Sequence, residues 1–148
     1  MPSSLSNDDL YNDDILTLAA SLRNGRLERP CGAARKTAKL CGSEIEIDVA
    51  MQGKLVSQCA MRVKACALGQ ASAAILYKNI IGASLDDICA GQEALRAMLK
   101  DGADYPSGRF GALQVLKGAG KYPARHASIL LAFDAAIAAI KDSQEEIA

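Results

Sequence analysis

Residues 44–51 alternate, with Ile45, Ile47, Val49 and Met51 on one side and Glu44, Glu46, Asp48 and Ala50 on the other. A period of two residues is that of a half-buried strand. Gln52-Gly53-Lys54 supplies a turn. Alternation resumes over 55–65, with Leu55, Ser57, Cys59, Met61, Val63 and Ala65 sharing a face. Together they predict an antiparallel hairpin over 44–65. On either side the period becomes helical. Tyr11, Ile15, Leu18 and Leu22 recur at helical spacing behind Asn7, a good N-cap, and Asp8 and Asp9, which suit the positive end of the dipole. A helix is expected over 8–23, stopped by Gly25. From Gly25 to Leu40 no period holds. Pro30, Gly32 and the cations Arg26, Arg29, Arg35, Lys36 and Lys39 predict a mobile basic loop, with an earlier strand near 33–40 as the alternative.

Beyond Cys66 the small residues of Ala67-Leu-Gly-Gln-Ala-Ser-Ala-Ala suit a closely packed helix to about Ile80, ended by Gly82. Ser84 and Asp87 have the spacing of a capping box, opening a short helix 85–89, with another at 92–100. A loop is expected over 101–107 and a helical turn over 110–116. Gly118, Gly120 and Pro123 mark a break. His126, Leu130, Phe133, Ile137 and Ile140 then form one stripe of a last helix that ends near Asp142, and 143–148 read as a frayed acidic tail. The fold class is α+β: a small antiparallel sheet against N-terminal and C-terminal helices, with 67–142 mainly helical. No repeat or linker divides the chain, so residues 1–148 are expected to form one domain.

Composition narrows the function. Half of the 148 residues are hydrophobic and 23% are charged, which excludes wholesale disorder. Seventeen basic residues balance seventeen acidic ones. A protein that grips phosphate backbones is normally basic, so no nucleic-acid partner is expected. No apolar run approaches the roughly 20 residues of a bilayer span, so no membrane role is expected. Met1-Pro-Ser-Ser-Leu-Ser-Asn-Asp-Asp has neither the basic start nor the apolar stretch of an export signal. A cytoplasmic location is expected, with the five cysteines reduced.

Cys41 opens the first hairpin strand and Cys66 ends the second, so the hairpin brings them together. Cys66 also precedes a helix, whose N-terminus favours negative charge. Two thiols so placed suit a soft metal or sulfur chemistry. Two buried structural cysteines would have the same spacing. Cys59 falls within the apolar alternation and Cys89 within a short helix, both as packing residues, and Cys31 lies in the basic loop, exposed. His126, the lone histidine, lies on an apolar stripe, which suits a packed residue or a ligand. Ser128 is about 200° around the helix from it, which argues against a serine–histidine catalytic pair. Gly118-Ala-Gly120-Lys lacks the strand–loop–helix setting of a phosphate loop.

These segments resemble the iron–sulfur cluster scaffold family of the IscU and NifU N-terminal type. Cys41-Gly-Ser-Glu-Ile-Glu-Ile is similar to the family's Cys-Gly-Asp strand start, and Lys64-Ala-Cys66-Ala-Leu-Gly-Gln-Ala-Ser-Ala to its Gly-Cys helix start. Ile81-Gly-Ala-Ser-Leu-Asp-Asp-Ile resembles the segment that follows. Lys121-Tyr-Pro-Ala-Arg-His-Ala-Ser-Ile-Leu-Leu-Ala-Phe-Asp-Ala resembles the family's Pro-x-Arg/Lys-x-x-Cys helix start, where Pro123, Arg125, Leu131 and Ala135 match without gaps. The distance from Cys66 to Ser128, and Tyr11 to Leu27, resemble the SUF-system branch. The resemblance implies a NifU N-terminal and SufE-like architecture. It also implies a metal site of three cysteines and an aspartate, sometimes with histidine. Cys41 and Cys66 match two of the cysteines. Ser43 stands at the aspartate position and Ser128 at the third cysteine, and His126 is displaced by one residue from the histidine position. A neutral hydroxyl is a poorer ligand than thiolate or carboxylate.

The resemblance implies a scaffold or carrier rather than an enzyme. Iron or an iron–sulfur cluster would sit on Cys41 and Cys66, with His126 as a further ligand. Cys41 would accept persulfide sulfur from a cysteine desulfurase, and acceptor proteins would take the product. Two alternatives stand beside it: a zinc-binding sulfur-transfer protein, and a family member without metal that acts as a partner or regulator. A monomer or a weak homodimer suits each.

Overall fold

The computed structural model describes residues 13–39, 42–104 and 106–147. Tyr11, the proposed cap Asn7, Asp8, Asp9 and Cys41 lie outside them. The chain runs α1 (Asp13–Ser21), β1 (Gly32–Ala38), β2 (Ser43–Gln52), β3 (Leu55–Lys64), α2 (Ala67–Asn79), α3 (Leu85–Asp101), a 3-10 segment (Gly108–Lys121), a 3-10 turn (Pro123–Arg125) and α4 (His126–Ile147). This is the expected α+β class. The three strands form one antiparallel sheet in the order β1-β2-β3. Helix α4 packs on β1, β2, α2 and α3, and α1 packs on α2.

The hairpin forms as its period requires. Ile45, Ile47 and Val49 are fully buried and pair with Val63, Met61 and Cys59. The shared face stops at a bulge between Ala50 and Met51, after which Met51 opposes Val56. One extra residue reverses which side chains face inward. Val56 is therefore buried and Leu55 exposed, and Ser57 turns its hydroxyl onto the Ala50 carbonyl, 3.1 Å away. The inward assignment of Leu55 and Ser57 is corrected accordingly.

Three other expectations change. Part of the expected basic loop is the edge strand β1, the alternative weighed for 33–40. Gly32 is required there: a Cβ on it would lie 2.2 Å from the Ala139 carbonyl oxygen of α4. The expected short helices at 85–89 and 92–100 are one helix, α3, opened by the Ser84–Asp87 capping box. Gly91, between those two ranges, lies inside the helix as a slot, because a Cβ there would lie 2.7 Å from the ring of Phe110. That ring meets Phe133 edge to face, with centroids 5.3 Å apart. Finally, α4 does not end near Asp142 but runs to Ile147. With its lead-in, Pro123–Gln144, it is long and apolar enough to cross a membrane, contrary to the count of apolar runs. Here it is the core helix, with Ile129, Ala132, Phe133, Ala136 and Ile140 fully buried.

The solvent-side reading of Asp48 is also corrected. The segment between α1 and β1 crosses the outer sheet face and buries Asp48 to 6% exposure. Its carboxylate accepts two hydrogen bonds from Arg62, at 2.9 and 3.1 Å, and one from the Leu27 N–H at 3.1 Å. Arg62 also donates to the Gly25 carbonyl, 2.8 Å away, and the Gly25 N–H donates to Met61. The Arg62 hydrogen bonds hold the Asp48 carboxyl below its ordinary value. Burial opposes that shift and the Leu27 N–H adds to it.

Replacing Asp48→Ala removes the bidentate partner of the largely buried Arg62, leaving it Glu46 at 3.6 Å and the Gly25 carbonyl, and is expected to cost about 2 kcal/mol in chemical denaturation at neutral pH. Because the native carboxyl is depressed, its contribution is complete above the ordinary value of 3.8 and is lost as pH falls through the native value. The gap between wild type and variant should therefore begin to narrow only below pH 3.8 and close as pH falls through the native value. Narrowing already at pH 6 would assign the effect to another group.

Candidate functional site

Strand β2 begins at Ser43, and the pairing of Glu44 with Lys64 sets this start beside the exit of β3. Two residues beyond Lys64, Cys66 takes extended backbone angles as the N-cap of α2, and its side chain makes no capping hydrogen bond. A Cys in place of the usual Ser or Asp leaves the sulfur available to neighbours. The neighbour is Ser128 in the first turn of α4. Its Oγ lies 3.6 Å from the Cys66 Sγ and 3.0 Å from the Ser43 Oγ. Ser128 is fully buried and Ser43 is 3% exposed, while Cys66 is half-buried.

Two contacts hold α2 and α4 close enough for this. Ser72 donates to the Ile129 carbonyl at 2.6 Å. Gly69 provides the space: a Cβ there would lie 2.5 Å from the Ser128 Oγ. These two residues were missed as site residues. Their signal was present in the small-residue run after Cys66, read only as suited to close packing. The structure thus brings Cys66, Ser43 and Ser128 into one hydrogen-bonded row. Cys41 lies outside the described residues.

His126 stands apart from this row. Its imidazole is buried, with Nε2 3.1 Å from the Ala119 carbonyl oxygen. A carbonyl can only accept, so Nε2 carries the proton. The ring lines a cavity with Leu99, Lys100 and Leu130, whereas Ser128 turns to Cys66. Among the described residues, no three His, Cys, Asp or Glu side chains gather as a metal site. The described donors, one thiol and two hydroxyls bonded to each other, do not by themselves make a closed four-ligand centre.

The other described cysteines, like Cys66, are free thiols. Cys59 is buried, as expected of a core residue, and its thiol is pushed up to about 12, first by burial and then by the charge of Asp48. Cys31 is not the exposed loop residue expected. It is half-buried just before β1, its N–H donating to Val49 and its sulfur accepting from the Met51 N–H at 3.3 Å. Cys89 is half-buried on α3, lining a cavity with Gln92 and Leu131.

No family model matches the chain. The chain is similar to the crystal structure of the N-terminal part of a nitrogen-fixing NifU-like protein from Brucella abortus. The two are 40% identical with a TM-score of 0.91, over 95% of this chain and 99% of that one. It is 25% identical over 133 residues to the iron–sulfur cluster assembly scaffold protein IscU of Thermotoga maritima, covering 89% of this chain and 93% of the relative. A protein from Fervidobacterium islandicum, described as an iron–sulfur cluster assembly scaffold for the SUF system, shares the fold at 18% identity and a TM-score of 0.81.

The contrast between Cys66 and Cys59 gives a direct measurement. A thiol raised from 9.0 to about 12 holds on the order of 10³-fold less thiolate at a given pH. Iodoacetamide on the native protein, followed by peptide mass spectrometry, should label Cys66 well before Cys59. Equal rates would show that the burial of Cys59 does not control its chemistry.

Proposed function

Because the chain belongs to the IscU and NifU N-terminal family of iron–sulfur cluster assembly scaffolds, we propose that it handles sulfur and iron during cluster assembly through Cys66 and Cys41. The thiolate of either residue attacks the outer sulfur of a persulfide on a cysteine desulfurase. A new S–S bond forms on this chain, the desulfurase S–S bond breaks, and the desulfurase cysteine leaves as a thiolate. No oxidant or reductant is consumed. Iron, or a nascent cluster, is cargo held briefly on the two thiolates and passed to an acceptor protein. The reading places the chain in the cytoplasm as a carrier rather than an enzyme.

The observation that supports this reading is the half-buried Cys66 sulfur on the N-cap of α2, without a capping bond of its own, against the Ser128 hydroxyl. The bond between Ser43 and Ser128 favours a second reading, in which sulfur transfer proceeds without bound metal. Neutral hydroxyls such as these add little to the affinity of two thiolates. Zinc, if taken up, would be weakly held for the same reason.

Anaerobic loading with ferrous iron and sulfide, followed by gel filtration and metal analysis, separates the readings. Substoichiometric iron that a mild chelator removes, from a protein that stays folded, is expected for the carrier. The double variant Ser43→Asp, Ser128→Cys should bind iron or zinc at least tenfold more tightly, since it replaces hydroxyls with a carboxylate and a thiolate. Persulfide uptake without any iron would support the second reading. Stoichiometric metal that resists a strong chelator, or unfolding on metal removal, would contradict both.

A further inference from the structure

Among the described residues, strand β1 is an edge of the sheet and pairs only with β2. Its Ala38 carbonyl accepts from Gly42 on the β2 side, so the even-numbered backbone groups turn inward. The odd-numbered groups turn outward. Ala33 shows this directly: its N–H donates to the Asp142 carboxylate of α4 at 3.0 Å, not to β2. The next outward groups belong to Arg35 and Thr37, both exposed. No described residue takes their outward N–H or C=O groups.

Beside this edge lies a groove. Helix α4 passes beneath β1 and packs on α3, which leaves a gap between β1 and α3 floored by α4. Two cavities of about 630 and 490 Å³ fill the gap and share Thr37, Leu131 and Asp134. The first is also lined by Ala127, next in the chain to Ser128, so the groove leads from the cysteine end of the sheet along β1. Its apolar floor includes Leu130, Leu131 and Ile137. Its charged lining is Lys36, Lys100, Lys141 and Arg96, the last paired with Glu93, against Asp134, which accepts a hydrogen bond from Gln92.

We propose that the free edge of β1 and this groove form a docking site for an extended acidic segment of a partner protein, added to the sheet as a fourth strand. The unpaired groups of Arg35 and Thr37 supply the ladder bonds that an incoming strand completes. The lysines select acidic side chains, and the floor takes the apolar residues that alternate with them. Asp142 on the Ala33 N–H already places one carboxylate on this edge. The proposal stands on the edge and groove alone and holds whichever cargo the cysteines carry.

The test uses a fluorescein-labelled heptapeptide of alternating glutamate and valine. Its controls are the lysine–valine counterpart and the acidic peptide with alternate amides N-methylated. In fluorescence anisotropy the acidic peptide should bind, the basic one should be weaker by roughly tenfold or more, and N-methylation should abolish binding. Hydrogen exchange read by NMR should slow at the Arg35 and Thr37 amides when the acidic peptide is present. Thr37→Pro removes one outward N–H, which an edge strand tolerates, and should weaken binding while retaining Tm. Should that variant fail to fold, the N-methylated peptide decides the point on the intact protein. Lys100→Glu should weaken the acidic peptide and strengthen the basic one. Three results would each overturn the proposal: no binding or equal affinity for both peptides, unchanged exchange at Arg35 and Thr37 with peptide bound, or sedimentation showing that β1 pairs with a second copy of the chain instead.

Discussion

The close passage of α4 across the sheet and against α2 is the constraint on which the rest of the structure depends. A helix can approach a strand or another helix at backbone distance only where side chains are absent or small. Here the chain meets that condition at separate points. Gly32 admits the Ala139 carbonyl to β1, Gly69 admits Ser128 to α2, and Gly91 admits Phe110, and through it Phe133, to α3. The first sets the helix on the sheet, the second builds the row of Cys66, Ser128 and Ser43, and the third closes the far side of the core. Without Gly69, the hydroxyl of Ser128 and the first turn of α2 could not occupy the space they share.

The chemistry of the site follows from what that passage delivers. Had Ser128 and Ser43 been charged ligands, the same geometry would converge strong donors on one point. As hydroxyls they spend a hydrogen bond on each other and keep the row neutral up to the sulfur. Burial then acts differently on the two sulfurs near the sheet. Cys59 lies across from Val49 on β3, buried and beside the Asp48 charge, where a thiolate is disfavoured twice. Cys66 lies where strand becomes helix, half-buried. Placement, more than residue type, separates the two.

Much of the fold was legible because periodicity is a local property. The hairpin announced itself through strict alternation from Glu44 to Met51, and α3 through the Ser84–Asp87 box. What could not be read locally was decided by distant partners. β1 has only small or basic residues, Ala33, Ala34, Arg35, Lys36, Thr37 and Ala38, and owes its form to pairing with β2 and to α4 beneath it. Gly91 reads as lying between two short helices until Phe110, 19 positions on, is seen to need its place. Asp48 occupied a solvent position in the alternation until the connector carrying Gly25 and Leu27 folded over it. At the site, the hairpin indicated that the end of β3 meets the start of β2, which the Glu44–Lys64 pairing bears out for the described residues. The family resemblance placed Ser43 and Ser128 with Cys66. The resting place of His126 depended on the 3-10 segment that carries Ala119, whose path no period foretold.

Helix α4 also has a mechanical meaning. Ser128 stands in its first turn, and Asp142, 14 residues on, reaches the edge of the sheet. At 1.5 Å per residue the two are about 21 Å apart along one stiff rod. The rod bears on β1 where the Ala139 carbonyl meets Gly32, backbone against backbone, near the Asp142 end. The other end is held too, by the Ser72–Ile129 hydrogen bond and by the Gly69 slot that takes Ser128. Fixed near both ends, the rod is a strut that sets the spacing between the Ala33 N–H at the sheet edge and the hydroxyl beside the Cys66 sulfur.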